Sequence, residues 1–321
     1  MKAIEFGSVG GPEVLVFGDA MVGEPKRGEV LIRQTAVGLN FIDTYHRNGS
    51  YPVALPSGLG LEAAGIVEAV GAGVQIVLGT RVGYCWGPIG AYATHRTIAA
   101  DRVVRLPAGV SDEVAAAALL KGCTTEFLVE RCARVQPGQW ALVHAAAGGV
   151  GLLLVQWLKH LGAIVVAVAG SVEKVAIARA HGADHGMVFD TTLADKVRDL
   201  TEGRGVDVVF DGVGKATFEA SLDCLKRRGL HVSYGNASGP VGAVDFGILG
   251  RKGSLFVTRP TLFDYYGDRS EIETHAGRVL AMIANGNIKV NVDQRYALED
   301  AASAHRALEA RRTTGSTVLI P

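Results

Sequence analysis

Between residues 140 and 236 the chain alternates apolar runs of strand length with stretches of helical character. The runs are "WALVHAA" (140–146), "AIVVAVAG" (163–170), "GMVFD" (186–190), "VDVVFDGVG" (206–214) and "LHVSYGN" (230–236). Between them lie "VGLLLVQWLKHLG", "VEKVAIARAHG", "TLADKVRDLTEG" and "KATFEASLDCLKRRG". Gly162, Gly182, Gly203 and Gly229 each fall where a helix calls for a left-handed residue at its C-terminus. Strands that are apolar on both sides, each followed by a helix, require a parallel sheet covered on both faces. The region 121–261 is therefore expected to be a Rossmann-type, doubly wound nucleotide-binding domain.

The first strand of this region runs into "HAAAGGVG" (144–151), which gives Ala146-x-Gly148-x-x-Gly151 at the opening of a helix. Without a Cβ at Gly148 the backbone can approach a pyrophosphate, and Gly151 allows close helix–sheet packing. Free N–H groups of Gly149 and Val150 at the helix start suit the anion. An acid at the end of the second strand would hold a free ribose 2′-hydroxyl. Here Gly170 and Ser171 occupy that place, with Glu173 and Lys174 just beyond. A small residue leaves room for a 2′-phosphate to which Ser171 and Lys174 could donate, so NADPH is expected rather than NADH. A solvated helix lysine is the plainer reading of Lys174.

The flanking segments have another rhythm. Residues 1–120 contain short strand-like runs such as "EVLIRQTAV" (29–37), "AAGIVEAVG" (63–71), "TRVGY" (80–84) and "GAYATHRTIA" (90–99), a β-rich pattern with a partly closed barrel. Residues 262–321 offer two helices, "AGRVLAMIANG" and "DAASAHRALEARR", and a strand "GSTVLIP", too little for a domain of their own. They are expected to fold back onto the first segment, so that the nucleotide domain is an insertion. The 42 glycines of 321 residues form no collagen period, and so imply many tight turns. A formal net charge of zero recommends neither nucleic acid nor an anionic membrane as partner. Four scattered cysteines, no basic-then-apolar leader and no apolar run of about 20 residues predict a reduced, cytoplasmic protein. Arg227 and Arg228 in "KRRG" are expected to end a helix, where cations suit its dipole.

With "GGPEVL", "GLNFIDTY", "LPSGLGLEAAGIV", "GAYATH", "LLKGCTTEFL", "HAAAGGVG", "SLDCLKRRGLHVSYGNASG" and "KGSLFVTRP" in place, the chain resembles the zinc-independent quinone oxidoreductase branch of the medium-chain dehydrogenase/reductase superfamily, from end to end. The resemblance implies NADPH-dependent one- or two-electron reduction of quinones, a homodimer with "KGSLFVTRP" near its interface, and a GroES-like catalytic domain built from the first and last segments. It also implies cofactor contacts from Asn40, Phe41, Ile42, Asp43 and Tyr45, from Gly148 to Gly151, Gly170 to Lys174, Gly235, Asn236 and Ser238, and from Arg259 and Arg311. One departure is Phe189, where some relatives carry a tyrosine that helps hold the 2′-phosphate; the missing hydroxyl is worth about 1.5–3 kcal/mol against a charged acceptor.

Zinc-dependent relatives place a cysteine ligand at the position of Asn40 and a His-Glu pair at Leu61-Glu62, so two expected ligands are absent and no metal is predicted. An improvised site from Asp43, His46 and Glu62 is the weaker alternative. Asn40 has three readings: a hydrogen bond to a substrate oxygen, one to the nicotinamide ribose, or stabilisation of its own turn. Tyr45 and Tyr51 have three readings: they line a flat aromatic pocket, donate a hydrogen bond, or pack. The expected reaction is hydride transfer to a quinone. Reduction of an activated C=C bond in an α,β-unsaturated carbonyl compound is the second reading, and a non-catalytic structural or RNA-binding role the third.

Overall fold

A computed structural model describes all 321 residues, and the chain divides into two compact units, Met1–Cys123 with Tyr266–Pro321, and Thr124–Tyr265. Both boundaries lie three to four residues beyond those expected at 120 and 261, the first of them inside a helix. No helix is long and apolar enough to cross a membrane.

The first unit begins with β1 (Lys2–Phe6), β2 (Val16–Asp19), β3 (Glu29–Leu39), α1 (Phe41–Arg47), β4 (Ser57–Gly58), β5 (Glu62–Val70), β6 (Arg81–Tyr84), β7 (His95–Ala99), β8 (Val104–Arg105) and α2 (Asp112–Glu126). Strand β7 starts five residues later than the expected run at 90. Strand β3 is eleven residues long and pairs antiparallel with both β5 and β7. Alternate residues Val30, Ile32 and Ala36 are wholly buried, which fixes the register because a one-residue slip would turn them to water. A second sheet has the order β2-β1-β4.

The second unit contains β9 (Trp140–Val143), α3 (Gly149–His160), β10 (Ile164–Ala169), α4 (Val172–Ala180), β11 (His185–Val188), α5 (Leu193–Leu200), β12 (Val206–Asp211), α6 (Phe218–Cys224), β13 (Leu225–Ser233), α7 (Gly247–Arg251), β14 (Phe256–Thr258) and α8 (Leu262–Tyr265). All its strands are parallel, in the order β11-β10-β9-β12-β13-β14. Numbered from β9 as the first, this is 3-2-1-4-5-6, the dinucleotide-binding order whose direction reverses between β9 and β12. Gly162, Gly182 and Gly203 have positive φ, as helix ends require.

Gly229 does not, and the expectation for "KRRG" fails. Helix α6 stops at Cys224, and Lys226 to Gly229 belong to β13, with Arg228 itself left-handed at φ 58°. The register of β13 against β12 shifts there, between Val206 and Val208, so the arginines mark an irregularity in a strand rather than a helix terminus.

The chain then returns to the first unit with α9 (Arg269–Glu271), α10 (Gly277–Ala284), β15 (Val292–Ala297), α11 (Ala301–Glu309) and β16 (Ser316–Ile320). Strand β16 inserts between β15 and β3, giving a sheet ordered β15-β16-β3-β5-β6-β8.

Candidate active site

In the second unit, β9 delivers the chain into a turn closed by Gly148 N–H donating to Ala145 O at 2.9 Å, with Ala145 left-handed at φ 49°. Gly148 caps α3 in extended conformation, and the first turn of α3 holds no acid. A Cβ on Gly148 would approach only Ala145 O, at 3.2 Å. One on Gly151 would strike Ala145 O at 2.3 Å and Ala146 Cα at 2.7 Å. Gly151 therefore serves packing, while Gly148 leaves a half-open backbone surface beside the N–H groups of a twelve-residue helix.

At the end of β10, nothing lies within 4 Å of a Cβ on Gly170. Ser171 caps α4, its Oγ accepting from Lys174 N–H at 3.4 Å. Its hydroxyl also hydrogen-bonds the exposed Glu173, whose carboxyl is held below the usual range chiefly by that bond. The hydroxyl expected to serve a 2′-phosphate thus already has a partner, and that partner is anionic. Phe189 follows β11 and sets its ring edge-on to His144, 5.9 Å between centroids.

A buried network joins the ends of β9, β12 and β13. Asp211 Oδ1 accepts from Val213 N–H (2.8 Å) and Gly214 N–H (3.1 Å), and Thr217 and Ser221 donate their hydroxyls to Oδ2 at 2.7 and 3.1 Å. Ser221 Oγ meets His144 Nε2 at 3.0 Å, and His231 Nε2 lies 3.3 Å from Asp211. Burial by itself pushes Asp211 up, but the bond to His231, the nearby His144 and the Thr217 hydroxyl outweigh it and hold the carboxyl well below the usual range. Burial lowers His144 to about 4, against the pull of Asp211, so its imidazole is neutral. The sequence reading passed over Asp211, although an acid closing an apolar strand ("VVFDGVG") marks such a site. Gly235 and Ser238 pack on the same loop: a Cβ on Gly235 would meet Gly212 O at 2.4 Å, and Ser238 Oγ donates to Val213 O at 2.8 Å. The Asn236 amide donates to Gly235 O (2.9 Å) and accepts from Arg259 (3.2 Å), whose guanidinium also donates to Ser233 O at 2.9 Å. Gly148 to Gly151, Gly170, Ser171, Phe189, Gly235, Asn236 and Ser238 thus all follow the C-terminal ends of parallel strands, where open α/β sheets bind ligands.

In the first unit, β3 ends at Leu39 and Asn40 caps α1. Asp43 reaches back to accept from Asn40 N–H at 2.8 Å, and Tyr92 donates to the same oxygen at 3.0 Å. Its carboxyl is wholly buried and burial raises it to about 7. The side chain of Asp43 therefore faces inward and holds Asn40; of the cofactor contacts expected from residues 40–45, it is the one turned away from solvent altogether. Phe41 and Ile42 are half-buried. Tyr45 packs between Phe41 and Tyr51, with centroids 5.5 and 5.1 Å away, and His46 sits edge-on to Tyr51 at 6.0 Å. Arg311 is an exposed left-handed residue in the turn after α11. Tyr92 also meets His305, whose other ring nitrogen faces Arg47 at 2.9 Å; burial, then Arg47, lowers His305 to about 3.

The donors of this region do not fit a catalytic zinc. Leu61 offers no ligand, Asn40 Nδ2 donates to Glu62 Oε2 at 2.7 Å, and Glu62 Oε1 accepts from Leu120 N–H at 2.7 Å. No three His, Cys, Asp or Glu side chains converge as a metal site, and Asp43, His46 and Glu62 form none.

Family models match both units: the alcohol dehydrogenase GroES-like domain over residues 26–108 and the zinc-binding dehydrogenase model over 149–267. A quinone oxidoreductase of Pseudomonas aeruginosa is 49% identical, covering 100% of this chain and 99% of its own. The solved Escherichia coli quinone oxidoreductase complexed with NADPH superposes with a TM-score of 0.97 at 46% identity, covering 100% of both chains. A 2-haloacrylate reductase from a Burkholderia species is 42% identical over 97% of this chain and 96% of its own. The chain belongs to the quinone oxidoreductase family of the medium-chain dehydrogenase/reductase superfamily, an α/β protein of GroES-like and Rossmann parts.

Proposed function

We propose that this protein is an NADPH-dependent quinone reductase that works by hydride transfer without a metal. The observation that carries the reading is the Gly148 surface at the reversal point of a 3-2-1-4-5-6 sheet, beside a β10 end with Gly170 in place of an acid. The solved relative's complex with NADPH supports the cofactor. When bound, reduced nicotinamide supplies a hydride to an electron-poor acceptor. Residues 148–151 and α3 hold the pyrophosphate, and Lys174 and Arg259 offer cationic side chains for phosphate. Asn40 hydrogen-bonds the cofactor or acceptor, and the Phe41–Tyr45–Tyr51 aromatic row offers a flat ring a surface. Positioning and exclusion of water carry most of the rate.

The protein acts as a cytoplasmic homodimer. Strand β14 is the edge of its sheet, paired only with β13, and its Phe256 (60% exposed) and Val257 (38%) face solvent. An apolar open edge with a net charge of zero suits pairing with a second copy.

An acceptor panel tests the reading: oxidation of NADPH and NADH with quinones, enals and 2-haloacrylate. Quinones with NADPH are expected to turn over fastest. A preference for the C=C acceptors would move the activity to the chemistry named for the 42%-identical relative. Tight NADPH binding with no oxidation by any acceptor would reduce the protein to a binding role.

A further inference from the structure

Lys226, Arg227 and Arg228, at the irregular start of β13, line an open groove of about 860 Å³. Arg198 of α5, Arg204 just ahead of β12 and Phe256 of β14 complete its wall. The groove lies at the N-terminal ends of β12, β13 and β14, whereas the residues expected to hold the dinucleotide follow the C-terminal ends of the strands. Two contacts build it. A Cβ on Gly205 would sit 2.7 Å from Cys224 O and 2.8 Å from Lys226 N, so glycine there lets the loop after α5 lie against β13. The Thr201 hydroxyl then accepts from Gly205 N–H at 2.7 Å and pins that loop.

The charges of this groove do not balance. Arg198 donates to four carbonyls, Gly203 O (3.2 Å), Arg204 O (3.0 Å), Asp223 O (3.0 Å) and Leu225 O (2.8 Å), and to no carboxylate. Its guanidinium is therefore fixed in place with its charge unmatched. Lys226 is paired with Asp207. Arg204, Arg227 and Arg228 are exposed, and their guanidinium groups have neither a hydrogen bond nor an ion pair. Arg228 is also held left-handed at φ 58°, a conformation that strains an arginine and that glycine would adopt freely. The cations that flank the groove in sequence are matched: Lys196 by Asp190, Arg251 by Asp245 and Lys252 by Asp223. In a chain of zero formal net charge, the unmatched positive charge is thus gathered around one concave surface.

Guanidinium forks match the oxygens of phosphate groups two at a time, and free ones set around a groove suit a ligand with several such groups. The volume falls within the roughly 300–1,000 Å³ of small-molecule sites, and the matched cations beyond the groove leave no basic track for a polynucleotide. We propose that the groove is a second anion site, for a small ligand bearing a di- or triphosphate group. Arg204, Arg227 and Arg228 are its phosphate donors, Arg198 a fixed charge in its wall, and Phe256 its apolar boundary. This goes beyond the quinone-reductase reading and does not depend on it.

Titration calorimetry with inorganic tripolyphosphate tests the site, with and without saturating NADP⁺. The variants are Arg204→Gln, Arg227→Gln, Arg228→Asn and all three together. These side chains are exposed and unpaired, and asparagine tolerates the left-handed backbone at 228, so each variant should melt with the wild type. Tripolyphosphate should bind saturably in the presence of NADP⁺ and about tenfold more tightly than orthophosphate. Each single variant should weaken it by up to about tenfold, and the triple variant by about 10²-fold or more. Tighter binding of ATP than of tripolyphosphate assigns the site to a nucleotide whose base rests on the Phe256 wall; equal binding assigns it to the polyphosphate chain alone. Wild-type affinity in the triple variant, binding seen only without NADP⁺, or no saturation at millimolar concentration overturns the proposal. Capture of single-stranded RNA without affinity for tripolyphosphate also overturns it, and makes the patch a nucleic-acid surface.

Discussion

Gly148 and Gly151 stand three residues apart on one turn, yet alanine at each should fail in a different assay. At Gly151 the new methyl meets backbone on every side, with Ala145 O at 2.3 Å, Ala146 Cα at 2.7 Å and Ala146 C at 2.8 Å. No side chain can swing away, so the cost belongs near the top of the ~1–3 kcal/mol range for overpacking. Alanine regains up to about 1 kcal/mol of helix propensity, leaving a net loss of about 2 kcal/mol. At about 2–4 °C per kcal/mol, the second unit should melt roughly 4–8 °C lower. Gly148 has an extended backbone and meets only one oxygen, at 3.2 Å. Its alanine variant should melt within about 3 °C of wild type, but its methyl covers the surface a pyrophosphate must approach. NADPH affinity should fall about tenfold or more, close to 1.4 kcal/mol. Thermal melts and titration calorimetry on both variants decide the matter. Wild-type NADPH affinity in Gly148→Ala, or a wild-type melt in Gly151→Ala, would refute this division of labour.

Three further outcomes follow from the same geometry. Glu173→Gln removes the anion that shares the Ser171 hydroxyl, so NADPH should bind several-fold more tightly with NADH unchanged; competitive titration reads the ratio, and an unchanged ratio counts against Ser171 as a phosphate contact. Phe256→Asp on the open edge should shift the protein from dimer to monomer in sedimentation, and a persistent dimer would place the interface elsewhere. The second unit should weaken in acid: His144, depressed to about 4, contributes stability that is full above its ordinary 6.5 and is lost as pH falls toward 4, about 3 kcal/mol in all. Asp211, also depressed, adds a loss of the same sign below the usual carboxylate range. Fluorescence of Trp140 and Trp157 should therefore report a lower melting point at pH 5 than at pH 7.5, and equal melting points would contradict the burial of His144.

The nucleotide-binding sheet was legible because its strands are buried on both faces: "IVVAVA" and "VDVVF" read as unbroken apolar runs, and left-handed glycines closed three of the intervening helices. "KRRG" misled because a strand with exposed, irregular residues has no apolar period, so its charges resemble a helix end. The glycine loop was legible as a local pattern of strand, turn and helix. Glu62 and Lys121 were not, since 59 positions separate them in sequence and only the packing of α2 against the sheet brings them together. Cys85 and Cys123 read as scattered for the same reason, although their thiols meet. Ser171 was read as standing in the acid's place at the end of the second strand with Glu173 just beyond it, and the hydrogen bond between the two arises only from the cap geometry of α4.

Strand β16 carries a consequence for how the chain comes off the ribosome. It is made of residues 316–320, yet it lies inside the sheet between β15 and β3 and pairs antiparallel with Val37, Gly38 and Leu39. The second unit is continuous in sequence and has all of its strands by residue 258, so it can fold while synthesis continues. The first unit must wait, with Val37 to Leu39 of β3 unpaired on one side, until residues 316–320 have left the exit tunnel. A nascent chain that lacks β16 therefore exposes the Val37–Leu39 edge of β3 next to the Asn40 turn, making emergence of residues 316–320 the event that closes both the sheet and its aggregation hazard.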